Sequence, residues 1–294
     1  LTRKWAYEIK GISKDKAKII VCSNNFHGRT TTIISFSSDS GARENFGPYG
    51  SGFIEIPYND IHAAQEAIMG ENIAGILIEP IQGEAGVYVP DDGYLKSVYN
   101  ACKESKVLFI ADEVQTGIAR TGKLLACDHE NIKPDILILG KAISGGVYPV
   151  SAVLADNNIM DVIRPGQHGS TFGGNPLASK VAIAALEVVK EENLANNSQE
   201  MGAIFRERMN ELAENSDLIK QVRGKGLLNA IEINDTAESD TAWNICLELK
   251  DQGLLAKPTH GNIIRFAPPL IITQEQIHDS CDLIETVVKS YQKT

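Results

Sequence analysis

Lys141 closes an apolar run, Asp135-Ile136-Leu137-Ile138-Leu139-Gly140-Lys141, and leads at once into Ala142-Ile143-Ser144-Gly145-Gly146. A short apolar run bounded by glycine reads as a fully buried strand of a parallel sheet. Open α/β sheets collect their ligands outside the carboxyl ends of the strands, so a lysine at that mouth faces a crevice. Partial desolvation there favours the neutral amine, the form that makes a Schiff base with a carbonyl. Alone, such a lysine more often carries its charge from a strand end into water. A second run of the same kind, Val107-Leu108-Phe109-Ile110-Ala111, ends on Asp112-Glu113. The separation fits a βαβ-like crossover, which would bring Asp112 and Lys141 to one crevice. Alone, Asp112 reads better as a helix cap or a solvated loop acid. Together, a lysine for a Schiff base and an aspartate for a pyridinium nitrogen are the protein's share of pyridoxal phosphate chemistry. The carboxylate keeps the ring nitrogen protonated, so the ring can accept electrons from a carbanion.

The elements needed to hold such a pair are present. Ala17 to Cys22, Ala74 to Ile78, Val107 to Ala111 and Ile136 to Leu139 read as strands with helical patterns between them, as in a parallel α/β sheet. Asn175-Pro176 is an N-cap followed by proline at the first helical position, opening a helix to about Glu192. Beyond Asn193 the pattern changes to an amphipathic helix, short strands near Leu227 to Ile233 and Ile263 to Phe266, and a final helix. The expected fold is α/β: a mainly parallel large domain over residues 1–191 and a smaller C-terminal α+β domain over 192–294.

Several spaced segments carry a family resemblance. Asp112-Glu113-Val114-Gln115-Thr116-Gly117, Arg120-Thr121-Gly122 and Gly140-Lys141 with Ser144-Gly145-Gly146 resemble class III aminotransferases, members of the fold-type I pyridoxal phosphate enzymes. Glu79-Pro80-Ile81-Gln82-Gly83-Glu84-Ala85-Gly86, Gly169 to Pro176, Val222 to Ala230, Gly253 to Gly261 and Arg265-Phe266-Ala267-Pro268-Pro269 are similar to the members that act on ornithine. The likeness spans nearly the whole chain in order, and several agreeing motifs say more than any one.

The resemblance implies pyridoxal 5'-phosphate as cofactor, with Lys141 holding it and then moving the proton of a 1,3-shift, and Asp112 on the ring nitrogen. The expected reaction moves the δ-amino group of L-ornithine to 2-oxoglutarate, giving glutamate 5-semialdehyde and glutamate; acetylornithine and 4-aminobutyrate are the alternative donors. An aromatic at a strand end is usually core; by resemblance Phe26 would stack on the pyridine ring. Arg29 would lie near substrate carboxylates, where its fork suits bidentate pairing. His27, beside them, is given no role. Gln115 would hydrogen-bond the phenolic oxygen, with Glu79 nearby. Glu84 would pair with Arg265, masking it while ornithine presents its side-chain amine and releasing it for the α-carboxylate of glutamate. Ser170 and Thr171 stand in a glycine-rich turn before a helix, where hydroxyls and free N–H groups suit phosphate or simple capping. In the family this turn reaches the cofactor phosphate of the neighbouring subunit, implying a homodimer or higher oligomer with shared sites.

Composition sets the remaining bounds. Hydrophobic residues make up 43% and charged ones 22%, ordinary globular values. A net charge of −10 without a basic run argues against nucleic acid as a partner. The cysteines, Cys22, Cys102, Cys127, Cys246 and Cys281, are scattered without a C-x-x-C pair, which points to reduced thiols and no metal site. No apolar stretch reaches the ~20 residues of a membrane helix. Gly117 to Lys123 fits G-x-x-x-x-G-K, yet Leu124 stands where a P-loop carries its Mg²⁺-binding hydroxyl. A nucleotide binder or a non-catalytic relative are therefore remote alternatives. Leu1 to Tyr7 reads as the end of a helix already under way, and the expectation is a fragment whose missing N-terminal part would hold any targeting peptide. The expected compartment is the mitochondrial matrix or the cytoplasm.

Overall fold

The computed structural model describes residues 1–291. The chain forms two compact units, and neither is one stretch of sequence. The first takes Leu1–Pro80, Pro90–Gln115 and Cys127–Leu186; the second takes Ile81–Val89, Thr116–Ala126 and the chain from Glu187 onward.

The first unit is built on a six-stranded sheet in the order β2-β1-β3-β4-β5-β6. Its strands are β1 (Lys18–Cys22), β2 (Phe53–Ile56), β3 (Ile73–Ile78), β4 (Leu108–Asp112), β5 (Ile136–Leu139) and β6 (Ala152–Ala155). The first five run parallel and β6 runs antiparallel to β5. β3 and β4 are almost wholly buried, which is why they read as continuous apolar runs and not as alternation. The helices Ile61–Ile68 and Tyr94–Glu104 add Ala64, Ile68, Leu95, Val98 and Cys102 to a core around Ile20, Ile76, Ile78 and Phe109. Each strand read from the sequence is found within a residue of its expected bounds. The two that were not expected, β2 and β6, are the sheet edges. Val153 and Leu154 of β6 are exposed, so no buried run marks that strand.

Asn175 Oδ1 accepts the Ala178 N–H at 2.9 Å, and with Pro176 at the first position it starts the helix Pro176–Glu191 as expected.

The second unit is α+β. Its antiparallel sheet runs β7-β8-β10-β9, with β7 (Ile219–Lys225), β8 (Leu228–Ile233), β9 (Lys257–Thr259) and β10 (Ile263–Phe266). The helices Leu194–Glu214, Thr241–Asp251 and Gln274–Tyr291 close a core of Met209, Leu227, Ile231, Ile233, Ile245, Leu249 and Val287. The sequence reading followed chain order and put 81–89 and 116–126 with the first domain. Their contacts explain the difference. Ile81 and Val87 bury against Leu228, Ala230 and Ile263. Arg120 donates to the carbonyls of Leu227 and Pro268 and accepts from the Leu227 N–H. Burial pulls the Arg120 guanidinium down to about 10. Around Gly117 to Lys123 there is neither a preceding strand nor a following α-helix, so the P-loop pattern is a coincidence of letters.

Gly202, on the helix Leu194–Glu214, packs directly on the backbone at Gly226: a Cβ there would sit 1.8 Å from the Gly226 carbonyl oxygen. The five cysteines are free and buried. Burial pushes Cys22, Cys102 and Cys246 up to about 12 and Cys281 to about 11. Among the described residues no helix is long and apolar enough to cross a membrane.

Candidate active site

In the first unit the carboxyl ends of four parallel strands deliver the candidate residues. β4 ends on Asp112, β5 is followed by Lys141, β3 by Glu79, and β1 by Phe26 and His27. Asp112 pairs in register with Ile138, and the Glu113 N–H donates to the Ile138 carbonyl at 3.0 Å, so β4 and β5 end side by side. This is the position the sequence assigned to the pair.

Asp112 is buried, with its Oδ1 accepting the Val114 N–H at 3.1 Å. Its Oδ2 lies 2.7 Å from His27 Nδ1, and the two side chains are only 9% and 3% exposed. A carboxylate at that distance assigns the Nδ1 proton to His27 as donor. The other ring nitrogen, Nε2, is buried without a hydrogen-bond partner. No lysine or arginine pairs with Asp112 among the described residues. A buried carboxylate suits a cationic ring N–H, and its two N–H contacts leave it lone pairs to accept one. The residues present therefore fit a protonated pyridine.

Lys141 has a positive φ of 43° and heads a tight turn, Lys141–Ser144, after the extended Gly140. The expected desolvation is not found in this chain: the turn projects from the sheet and Lys141 is exposed. With Ser144, Tyr148, Ser170 and Asn175 it lines a cleft of about 1220 Å³. Ser170 Oγ accepts the Gly173 N–H at 3.1 Å, closing its own turn, and Thr171 is exposed beside it.

Phe26 is half-buried, and its N–H donates to Glu79 Oε2 at 3.0 Å, so the buried Glu79 braces the turn that carries the aromatic ring. The Arg29 guanidinium stands 5.6 Å from the Phe26 ring centroid and 3.5 Å from Asp39. Gln115 is half-buried one turn beyond Asp112.

In the second unit Glu84 Oε2 lies 3.0 Å from Arg265 Nη2, the pair expected from the sequence. Arg265 Nη1 also donates to the Gly83 carbonyl at 2.9 Å. Glu84 Oε1 takes a second cation, Lys257 Nζ, at 2.6 Å. Thr259 Oγ1 donates to the Glu84 carbonyl at 2.8 Å. Burial pushes the Glu84 carboxyl up, but the Lys257 hydrogen bond and the Arg265 charge outweigh it and leave the group below its ordinary value. Glu79 thus braces a turn, while Glu84 neutralises cations.

Two residues escaped the sequence reading. His27 was passed over because it adjoins the stacking aromatic. Its signal was position, since neighbours on an extended turn point opposite ways, and one of them turns to Asp112. Lys257 was one lysine within a motif, and only strand pairing puts it across from Arg265.

Comparison with known proteins follows this geometry. The class-III aminotransferase family description matches residues 1–288. The mitochondrial ornithine aminotransferase of Rattus norvegicus is 56% identical over 291 residues, covering 99% of this chain and 66% of the relative. That of Oceanobacillus iheyensis is 51% identical, covering 97% and 70%. Among solved structures, ornithine aminotransferase from Toxoplasma gondii superposes with a TM-score of 0.96 at 47% identity, covering 99% of this chain and 69% of that one. Acetylornithine aminotransferase from Elizabethkingia anophelis gives 0.89 at 65% identity, covering 98% and 71%. The chain spans about two thirds of the length of the curated relatives it matches. With the family pattern running through nearly every residue, and a lysine and a buried aspartate at neighbouring strand ends, the chain belongs to the class-III aminotransferase family.

Proposed function

We propose that the full-length protein is a pyridoxal phosphate-dependent aminotransferase that moves the δ-amino group of L-ornithine to 2-oxoglutarate, giving glutamate 5-semialdehyde and glutamate. The observation that carries the reading is the Glu84–Arg265 pair, a masked carboxylate receptor suited to a donor that offers a terminal amine. The names of the rat, Oceanobacillus and Toxoplasma relatives support it. The bound cofactor supplies an electron sink for the carbanion formed when the donor loses its proton. Lys141 is the residue assigned to hold the cofactor covalently, and once the substrate amine has displaced it, its freed Nζ would take and return the migrating proton. Asp112 would keep the ring nitrogen protonated, and His27 holds Asp112 in place. Phe26 would stack on the ring and Gln115 would donate to its phenolic oxygen. Glu79 braces Phe26, while Arg29 favours carboxylate-bearing substrates. Ser170 and Thr171 are assigned to the cofactor phosphate of a second subunit, which makes the active form at least a homodimer. The compartment is assigned to the mitochondrial matrix or the cytoplasm.

Borohydride reduction of the full-length protein with cofactor should label Lys141, and a label on any other lysine refutes the assignment. Single-turnover spectra should show faster amine transfer from ornithine than from N-acetylornithine. The second reading, acetylornithine as donor, has the Elizabethkingia structure in its favour and predicts the reverse order. Mixed dimers of Lys141→Ala with a Ser170→Ala/Thr171→Ala double variant should recover activity; failure of every mixture removes the shared site.

A further inference from the structure

Arg265 and Lys257 are cross-strand partners on β10 and β9. Their cationic heads meet on one carboxylate, one oxygen each: Glu84 Oε2 at 3.0 Å from Arg265 and Oε1 at 2.6 Å from Lys257. The arginine is 11% exposed and the lysine 59%, so one is embedded and the other reaches in from solvent. The peptide at the carboxylate is fixed independently of Arg265 by Thr259 Oγ1 on the Glu84 carbonyl. Glu84 can therefore release one cation while its backbone stays in place.

We propose that Lys257 is a specificity-determining residue that controls how readily Arg265 becomes available to a substrate carboxylate. This rests on the reading of Glu84–Arg265 as a mask. While the mask is closed, Lys257 and Arg265 share one negative charge, and their mutual repulsion offsets much of what the lysine gains. When a substrate carboxylate takes Arg265, the guanidinium is neutralised from the other side. Glu84 would then be left half-buried with no partner, but Lys257 retains it and its pairing is no longer opposed. The lysine thus stabilises the open state more than the closed one, and it favours substrates with an α-carboxylate at the receptor. Its exposure limits the effect to that of a solvent-screened pair.

The test uses the full-length holoenzyme and follows each half-reaction by single turnover. Lys257→Met should lower kcat/KM for L-glutamate by roughly threefold, with ornithine falling less or rising. It should weaken glutarate binding, read by calorimetry, by a similar factor. Lys257→Arg should restore both. In a Glu84→Ala background the Lys257→Met change should have no effect on the ratio of the two half-reactions. If Glu84→Ala alone leaves that ratio unchanged, the mask itself does not exist. If Glu84→Ala shifts the ratio but Lys257→Met does not, or if the Lys257→Met effect persists without Glu84, the role given to Lys257 is overturned while the mask stands.

Discussion

Removing the imidazole from Asp112 should cost the first unit measurable stability, and the amount can be worked from the contact. The Nδ1–Oδ2 hydrogen bond is 2.7 Å long between side chains less than a tenth exposed, and its acceptor is a carboxylate. Such bonds contribute about 1.5–3 kcal/mol. His27→Leu loses that bond, but it also removes Nε2, a buried nitrogen without a partner, whose relief returns about 1 kcal/mol. The net expected loss is about 0.5–2 kcal/mol. His27→Asn places its amide nitrogen near the position of Nδ1 and should recover at least half of the loss. Urea unfolding is the assay. Trp5 lies in the first unit and Trp243 in the second, so in a Trp243→Phe background fluorescence reports the first unit alone. With a slope of about 2–3 kcal/mol per molar urea, His27→Leu should lower the midpoint by about 0.5 M. Equal midpoints for His27→Leu and His27→Asn would show that ring packing, not the hydrogen bond to Asp112, is what His27 supplies.

The other predictions concern charge and packing. Asp112→Asn in the full-length enzyme should leave the cofactor bound yet cut kcat by about a hundredfold or more, since the amide cannot hold the ring nitrogen protonated; undiminished turnover would make Asp112 a structural acid. At Glu232, as at Glu84, burial pushes the carboxyl up but cationic partners, here Lys220 and Arg223, hold it below the ordinary 4.5. Carboxyls depressed in the native state lend stability that is complete above about pH 4.5 and is lost as the pH falls through their lower native values. Trp243 unfolding midpoints should therefore drop on acidification below about pH 4.5, and a Glu84→Gln/Glu232→Gln variant should show a shallower drop; an equally steep one would put the acid sensitivity elsewhere. Gly202→Ala would force a methyl into the Gly226 carbonyl and should destabilise the second unit by about 3 kcal/mol or more, a forecast that an unchanged Trp243 midpoint would sink.

The first unit was legible because its central strands β3 and β4 are buried on both faces. Ile136 to Leu139 and Val107 to Ala111 announce themselves as runs, and the residues that follow such runs are the ones a parallel sheet presents to a ligand. Lys141 and Asp112 were singled out in this way, whereas Phe26 and Glu79 were named through the family resemblance. What escaped was set by partners that sequence order conceals. His27 depends on a carboxylate two strands away, and Lys257 on strand pairing. The home of 81–89 depends on Leu228, Ala230 and Ile263, residues far down the chain. Edge strands β2 and β6 bury too little to leave a pattern.

Those distant partnerships also set an order of events for a chain emerging from the ribosome. Gly86 waits for Arg223, 137 residues later, and the Glu84 carbonyl waits 175 residues for Thr259. Arg120 reaches its carbonyl acceptor at Pro268 only after another 148 residues. Until then Ile81 and Val87 have no apolar cover and the backbone of 116–126 has no fixed course. Closing such long loops is slow, and the sheet they dock on is made long after them. The first unit's described strands are complete once Ala155 has emerged, while the second unit, holding the Glu84 mask, cannot close its sheet until β10 has been made. A polypeptide released early, before β10, would display that apolar turn permanently, making it a natural target for chaperones and proteases.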